Sequence, residues 1–195
     1  WAISFRERDG VSLVEGITTA FPNSRYFEVG GLEMPINETA LNEAFDYADV
    51  VVLVAGELVS MSGEATSRAD ISLPGEQSKL FDALEKLDKP TVAILMNGRP
   101  MAIEKEVGQV DAVIEAWHLG IQMGHAVART LSGANNPSAR LTVSFPRVSG
   151  QCPVYYNHPN TGRPAGRSKF TSKYMDIEHG ALYDFGYGLS YSRFA

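Results

Sequence analysis

Cysteine is almost missing from this chain: Cys152 is the only one in 195 residues. A lone cysteine excludes an internal disulfide framework and any multi-cysteine metal cluster, and it leaves the compartment open. No run of about 18 apolar residues occurs, so no membrane-spanning helix is expected. Basic residues are too few to outweigh the acidic ones. Lys and Arg number 17 against 23 Asp and Glu, a net charge of −6. An acidic chain repels phosphate backbones, so nucleic acid is not an expected partner. The opening stretch, WAISFRERDG, lacks an apolar core, and no signal peptide is expected in it. Glycine and proline, 18 and 10 residues, suffice for loops but not for disorder.

The signatures of several chemistries are also missing. The nearest match to a dinucleotide fingerprint is Gly186-Tyr187-Gly188-Leu189-Ser190-Tyr191, which has tyrosine at the third glycine position and follows no strand. There is no Gly-Lys-Ser/Thr phosphate loop and no Gly-x-Ser-x-Gly elbow. His118, His125, His158 and His179 lack zinc-ligand spacing and read as surface or packing histidines. No cofactor and no metal are expected. Asn37-Glu38-Thr39 has the form of a glycosylation sequon, but a helix cap is the favoured reading of Asn37.

What is present is a repeated alternation of helical and apolar segments. The spacing predicts helices over 11–21, 37–47, 75–87 and 120–133, with a short one near 101–106. Apolar runs at 50–56 (VVVLVAG), 91–97 (TVAILMN) and 111–117 (DAVIEAW) predict three buried strands, the first covered on both faces. Shorter strands are expected at 26–29 and 141–145, and Trp117 is expected in the core. Buried strands separated by helices indicate an α/β fold: a mostly parallel sheet with helices on both faces, layered as in flavodoxin. Beyond about residue 145 the chain is rich in Pro, Asn, Gly and Ser. It reads as a long irregular C-terminal arm with an aromatic tail, over 146–195, on a single domain of core 1–145.

In open α/β sheets, ligands bind beyond the carboxyl ends of the strands. The segment 57–73 leaves such an end and is long and polar where an α/β connection is normally short. It holds Glu57, Glu64, Arg68 and Asp70. Spacing alone favours a solvated charged loop. The functional alternative is a carboxyl held at a cleft as a general acid.

Several runs in this chain resemble one family. They are Val-Ala-Gly-Glu (54–57), Ser-Gly-Glu-Ala-Thr-Ser-Arg-Ala-Asp-Ile-Ser-Leu-Pro (62–74), Leu-Met-Asn-Gly-Arg-Pro (95–100), Glu-Ala-Trp (115–117), Asn-Pro-Ser-x-x-Leu (136–141), Ser-Phe-Pro-Arg (144–147), Pro-Val-Tyr-Tyr-Asn-His-Pro-Asn-Thr-Gly-Arg-Pro (153–164) and Phe-Gly-Tyr-Gly-Leu-Ser-Tyr (185–191). In this order they resemble the C-terminal α/β-sandwich domain of family 3 glycoside hydrolases, of the bacterial periplasmic β-glucosidase type. The resemblance implies one half of a retaining glycosidase site acting on β-glucosides or oligosaccharides. The nucleophile in that family is an aspartate in a Ser-Asp-Trp context on a preceding barrel domain. Only two tryptophans occur here, Trp1 and Trp117, and neither follows Ser-Asp, so the barrel domain is expected to be absent from this chain and the isolated chain to be inactive.

By the same resemblance, Glu64 is the general acid/base. Glu57 organises the loop. Arg68 either contacts substrate and tunes Glu64 or braces the loop; an arginine close by would lower the pKa of Glu64 and oppose its acid role. Trp1 would stack on sugar near the aglycone subsite. The arm at 153–164 would recognise sugar or clamp the barrel domain. A periplasmic or secreted location is implied. A non-catalytic sugar-binding or inter-domain module is the alternative. Departures from the family pattern occur at Gly120–His125, at Arg129 and at Ala139-Arg140.

Overall fold

The computed structural model describes residues 9–193. The elements run α1 (Leu13–Ala20), α2 (Glu38–Tyr47), β1 (Val51–Gly56), α3 (Gln77–Leu84), β2 (Thr91–Met96), α4 (Glu104–Val107), β3 (Ala112–Glu115) and α5 (Met123–Leu131), with short 3-10 turns at Val59–Met61 and Ser149–Gln151. The strands form one parallel sheet in the order β1-β2-β3. Val51 pairs with Thr91 and Gly56 with Met96, so β1 and β2 end level with each other. Parallel pairing with a helix between successive strands places every carboxyl end on one side of the molecule.

The first two helices start at side-chain caps. Ser12 accepts from the Glu15 N–H at 3.1 Å, and Asn37 accepts from the Ala40 N–H at 3.1 Å. Asn37 is therefore engaged as a cap. The alternation of β2 builds two cores. Ala93 and Leu95 face Leu41 of α2 and Leu80, Phe81 and Leu84 of α3. Ile94 faces Leu13 of α1, Val127 of α5 and Ala116. Phe81, at 1% exposure, contributes about 1.5–3 kcal/mol by its burial. The sheet thus has helices on both faces.

Three expectations change. Among the described residues β1 lies at the edge of the sheet, and its second face is covered only in part: Val52 packs against the α1–α5 cluster, while Val54 is left 46% exposed. Residues 26–29 are extended but pair with no strand among the described residues; Val29 accepts from the Asn37 N–H instead. Residues 141–145 form no strand. Leu141 and Phe145 exchange backbone hydrogen bonds with 182–187 of the returning tail, bridging Phe145 to Tyr183. Trp117 lies past the end of β3 at φ +53°, half-buried, with its ring 5.7 Å from Phe145. The arm beyond the 3-10 turn at Ser149–Gln151 carries no helix or strand among the described residues.

Candidate active site

The carboxyl ends of the three strands carry Gly56-Glu57, Asn97-Gly98-Arg99 and Glu115 to His118. At the end of β1 the chain turns sharply. Gly56 has φ +143°, and a Cβ there would lie 2.0 Å from the Met96 carbonyl oxygen, so glycine is required. Buried Gln77 holds this residue from both sides: its amide nitrogen donates to the Gly56 and Pro74 carbonyls, and its amide oxygen accepts from the Gly56 N–H, each at 2.8 Å.

The loop that follows is built around a buried carboxylate. Glu57 has a side chain with 0% exposure, and two guanidinium groups meet it. Arg68 Nη1 donates to Glu57 Oε1 at 2.7 Å, and Arg99 Nε lies 3.0 and 3.2 Å from its two oxygens. Burying one carboxylate between two cations meets the need for pairing and hydrogen bonding in low dielectric. Arg68 also donates to the Ser72 carbonyl at 3.0 Å. Arg99 Nη2 donates to the Met61 carbonyl and, at 3.0 Å, to that of Thr66. Between these points Gly63 (φ +124°) and Ala65 (φ +59°) make a tight turn, closed by the Thr66 hydroxyl on the Gly63 carbonyl at 2.7 Å. Glu64 stands exposed at its apex. Asp70 accepts from the Ser72 N–H and from the Ser149 hydroxyl, each at 3.0 Å. The Ser72 backbone N–H, then the Ser72 and Ser149 hydroxyls, hold its carboxyl below the usual range.

The loop is seated on β2. A Cβ on Gly98 would fall 1.8 Å from Ser62 Oγ and 2.7 Å from His118 Nε2, so the loop approaches the strand end closely enough to exclude a side chain. Beneath it, fully buried Asn97 donates to the Arg99 carbonyl at 2.8 Å and to Glu115 at 3.4 Å; its own Oδ1 has no hydrogen-bond partner. Glu115 accepts from the Trp117 N–H at 3.0 Å.

Burial raises the Glu115 pKa from 4.5 to about 7, against the opposing hydrogen bonds from Trp117 and Asn97. Below about pH 4.5 the carboxyl is protonated in folded and unfolded chains alike. Between that value and about 7 only the folded state holds the proton, so stability falls as pH rises, by about 3 kcal/mol at most. Glu115→Gln is expected to remove this slope and to be the more stable form at pH 8. Urea denaturation across the pH range checks it.

Comparisons with known proteins place the fold in a family. Residues 2–191 match the family model described as glycosyl hydrolase family 3 C-terminal domain. The chain belongs to that family. A periplasmic β-glucosidase from Salmonella typhimurium is 51% identical over 155 residues, covering 78% of this chain and 20% of that protein. A β-xylosidase from Formosa agariphila is 40% identical over 149 residues, 75% of this chain and 20% of its own length. The β-glucosidase from Listeria innocua, solved in complex with glucose, superposes with a TM-score of 0.89 at 39% identity, over 96% of this chain and 27% of that one. The chain therefore spans about a fifth to a quarter of the relatives it matches.

Within this family 3 domain, the structure brings Glu57, Glu64 and Arg68 into one loop at the sheet's carboxyl end. The Arg68 guanidinium faces Glu57 and Ser72, the geometry of a brace. Trp1 lies outside the described residues. The arm and tail enclose a separate cavity of about 710 Å³, lined in part by Tyr155, Tyr156, His158, Tyr174, His179 and Asp184. Sequence reasoning misses Gln77, Asn97, Arg99 and Glu115. The run 95–100 stands out by resemblance alone, although its position at the end of a parallel strand is signal enough to examine Arg99.

Proposed function

We propose that this chain is the sandwich half of a retaining β-glucosidase active site, with Glu64 as general acid/base. The rest of that site comes from a barrel domain elsewhere in the same polypeptide, which supplies the nucleophilic aspartate. The observation that carries the reading is the placement of Glu64: an exposed carboxyl at the apex of a short turn, beyond the carboxyl ends of parallel strands, on a loop tied to a buried ion-pair hub.

Double displacement needs a second carboxyl about 5–5.5 Å from the first, and a glutamate projecting outward can meet one carried on another body. Family membership and relatives named as β-glucosidases support the substrate class, terminal β-D-glucosyl residues. The likeness to a periplasmic protein supports a periplasmic or secreted location. Arg68 serves this site by bracing its loop. Trp1 takes the aglycone-stacking role.

The isolated chain is expected to show no turnover of an aryl β-glucoside, while the full-length polypeptide that carries it does. Turnover by the chain alone, abolished in Glu64→Ala, would overturn the half-site reading. Calorimetry on the chain alone is expected to give no heat with glucose or cellobiose; binding there would favour a carbohydrate-binding module.

A further inference from the structure

We infer that Arg99 is the positioning residue for the acid/base turn: it fixes where Glu64 stands by gripping the loop on both sides of it. The inference rests on the role proposed for Glu64.

The segment 57–73 contains only one short 3-10 turn. Fixing each such residue costs about 1–2 kcal/mol in backbone entropy, so an exposed apex keeps one position only if its flanks are tied down. Several ties exist, but most lie at the ends of the segment. Gln77 holds Gly56 before it begins. Arg68 grips Ser72, and Asp70 engages Ser72 and Ser149, all past the turn. Arg68 also spans the segment, but at its ends, from Glu57 to Ser72; Arg99 alone among these grips the backbone close on either side of Glu64, at the carbonyls of Met61 and Thr66.

Its own position is fixed in turn. Arg99 stands three residues past the end of β2, its carbonyl is held by buried Asn97, and its Nε is held by Glu57. The register of the central strand is thereby passed to the catalytic turn through one side chain. The task needs arginine. A planar guanidinium can direct Nε at a carboxylate and Nη2 at two carbonyls at once, while a lysine ammonium is a point charge on a flexible stem. Arg99→Lys therefore keeps the charge beside Glu57 and loosens the turn. A displacement of about 1 Å in a reacting group can cost about 100-fold in rate.

The test uses the full-length enzyme and kcat/KM, which reports glycosyl transfer to the enzyme, for β-glucosides of graded leaving group. Alkyl glucosides and cellobiose need a proton delivered to the departing oxygen; 2,4-dinitrophenyl glucoside does not. Arg99→Lys is expected to lower kcat/KM by about 10–100-fold on the poor leaving groups and by less than about threefold on the dinitrophenyl substrate. Arg99→Gln is the second variant, and faster amide hydrogen exchange confined to the neighbourhood of 61–66 is the accompanying structural readout. Glu64→Gln is measured alongside. If it shows the selective loss while both Arg99 variants lose activity equally on all substrates, or not at all, the positioning role is overturned and the Glu64 role stands. If Glu64→Gln shows no leaving-group dependence, the acid assignment itself falls and takes this inference with it.

Discussion

Glu64→Gln in the full-length enzyme is expected to reduce kcat/KM on unactivated β-glucosides by about 100- to 10,000-fold, the range for loss of a general acid–base group. Glutamine matches glutamate in shape and cannot supply the proton. The side chain is exposed and makes no contact that the fold depends on, so the variant is expected to fold as the parent does. Both halves of the reaction suffer. In the first, the leaving oxygen departs without a proton; in the second, water attacks without a base. With 2,4-dinitrophenyl glucoside the first half needs little help, and the glycosyl-enzyme then accumulates because its hydrolysis is slow. Azide needs no base to attack that intermediate, so it is expected to restore turnover and to yield β-glucosyl azide, a product identifiable by mass spectrometry. Equal losses on every substrate, or no rescue by azide, would remove Glu64 from the reaction.

The second large effect concerns Glu57, which touches no sugar in this scheme. Glu57→Gln is expected to destabilise the domain by about 3–5 kcal/mol, because two guanidinium groups with side chains only 20% and 19% exposed lose their shared counter-charge. For a domain of this size that corresponds to a drop in Tm on the order of 10 °C. Calorimetry reads it directly. A stability change below about 1 kcal/mol would mean that Arg68 and Arg99 find other partners and that the hub is not one. The two arginines are unequal: loss of Arg68 frees the far end of the loop at Ser72, while loss of Arg99 frees the turn itself.

Much of the fold is legible in the sequence because its strands are largely apolar and its first two helices are capped by side chains. VVVLVAG, TVAILMN and Asn37 announce themselves. What periodicity cannot give is lateral order. Nothing in VVVLVAG says that it lies at an edge among the described residues, with Val52 packed against the α1–α5 cluster and Val54 left exposed. Nor does LTVSF, 141–145, reveal that its partner is a tail some forty residues away rather than the sheet. The site divides the same way. Glu64 is proposed by resemblance, and the charged loop stands out by its length and position. The residues that hold it, Gln77, Asn97 and Arg99, come from two other elements. Their roles depend on which strand ends stand level, a fact of register that no local pattern encodes.

The hold of Gln77 on Gly56 has an evolutionary corollary. A side-chain amide that offers both a donor and an acceptor to one peptide unit acts as a surrogate strand neighbour, and it ends β1 at a fixed residue whatever comes next. The end of β1 is thereby set independently of the connection from Leu58 to Leu73. Residues can be added to or removed from its outer stretches without shifting the pairing of Val51 with Thr91 beneath. Such a separation lets a lineage reshape the loop beyond a strand end while the sheet beneath it stays put.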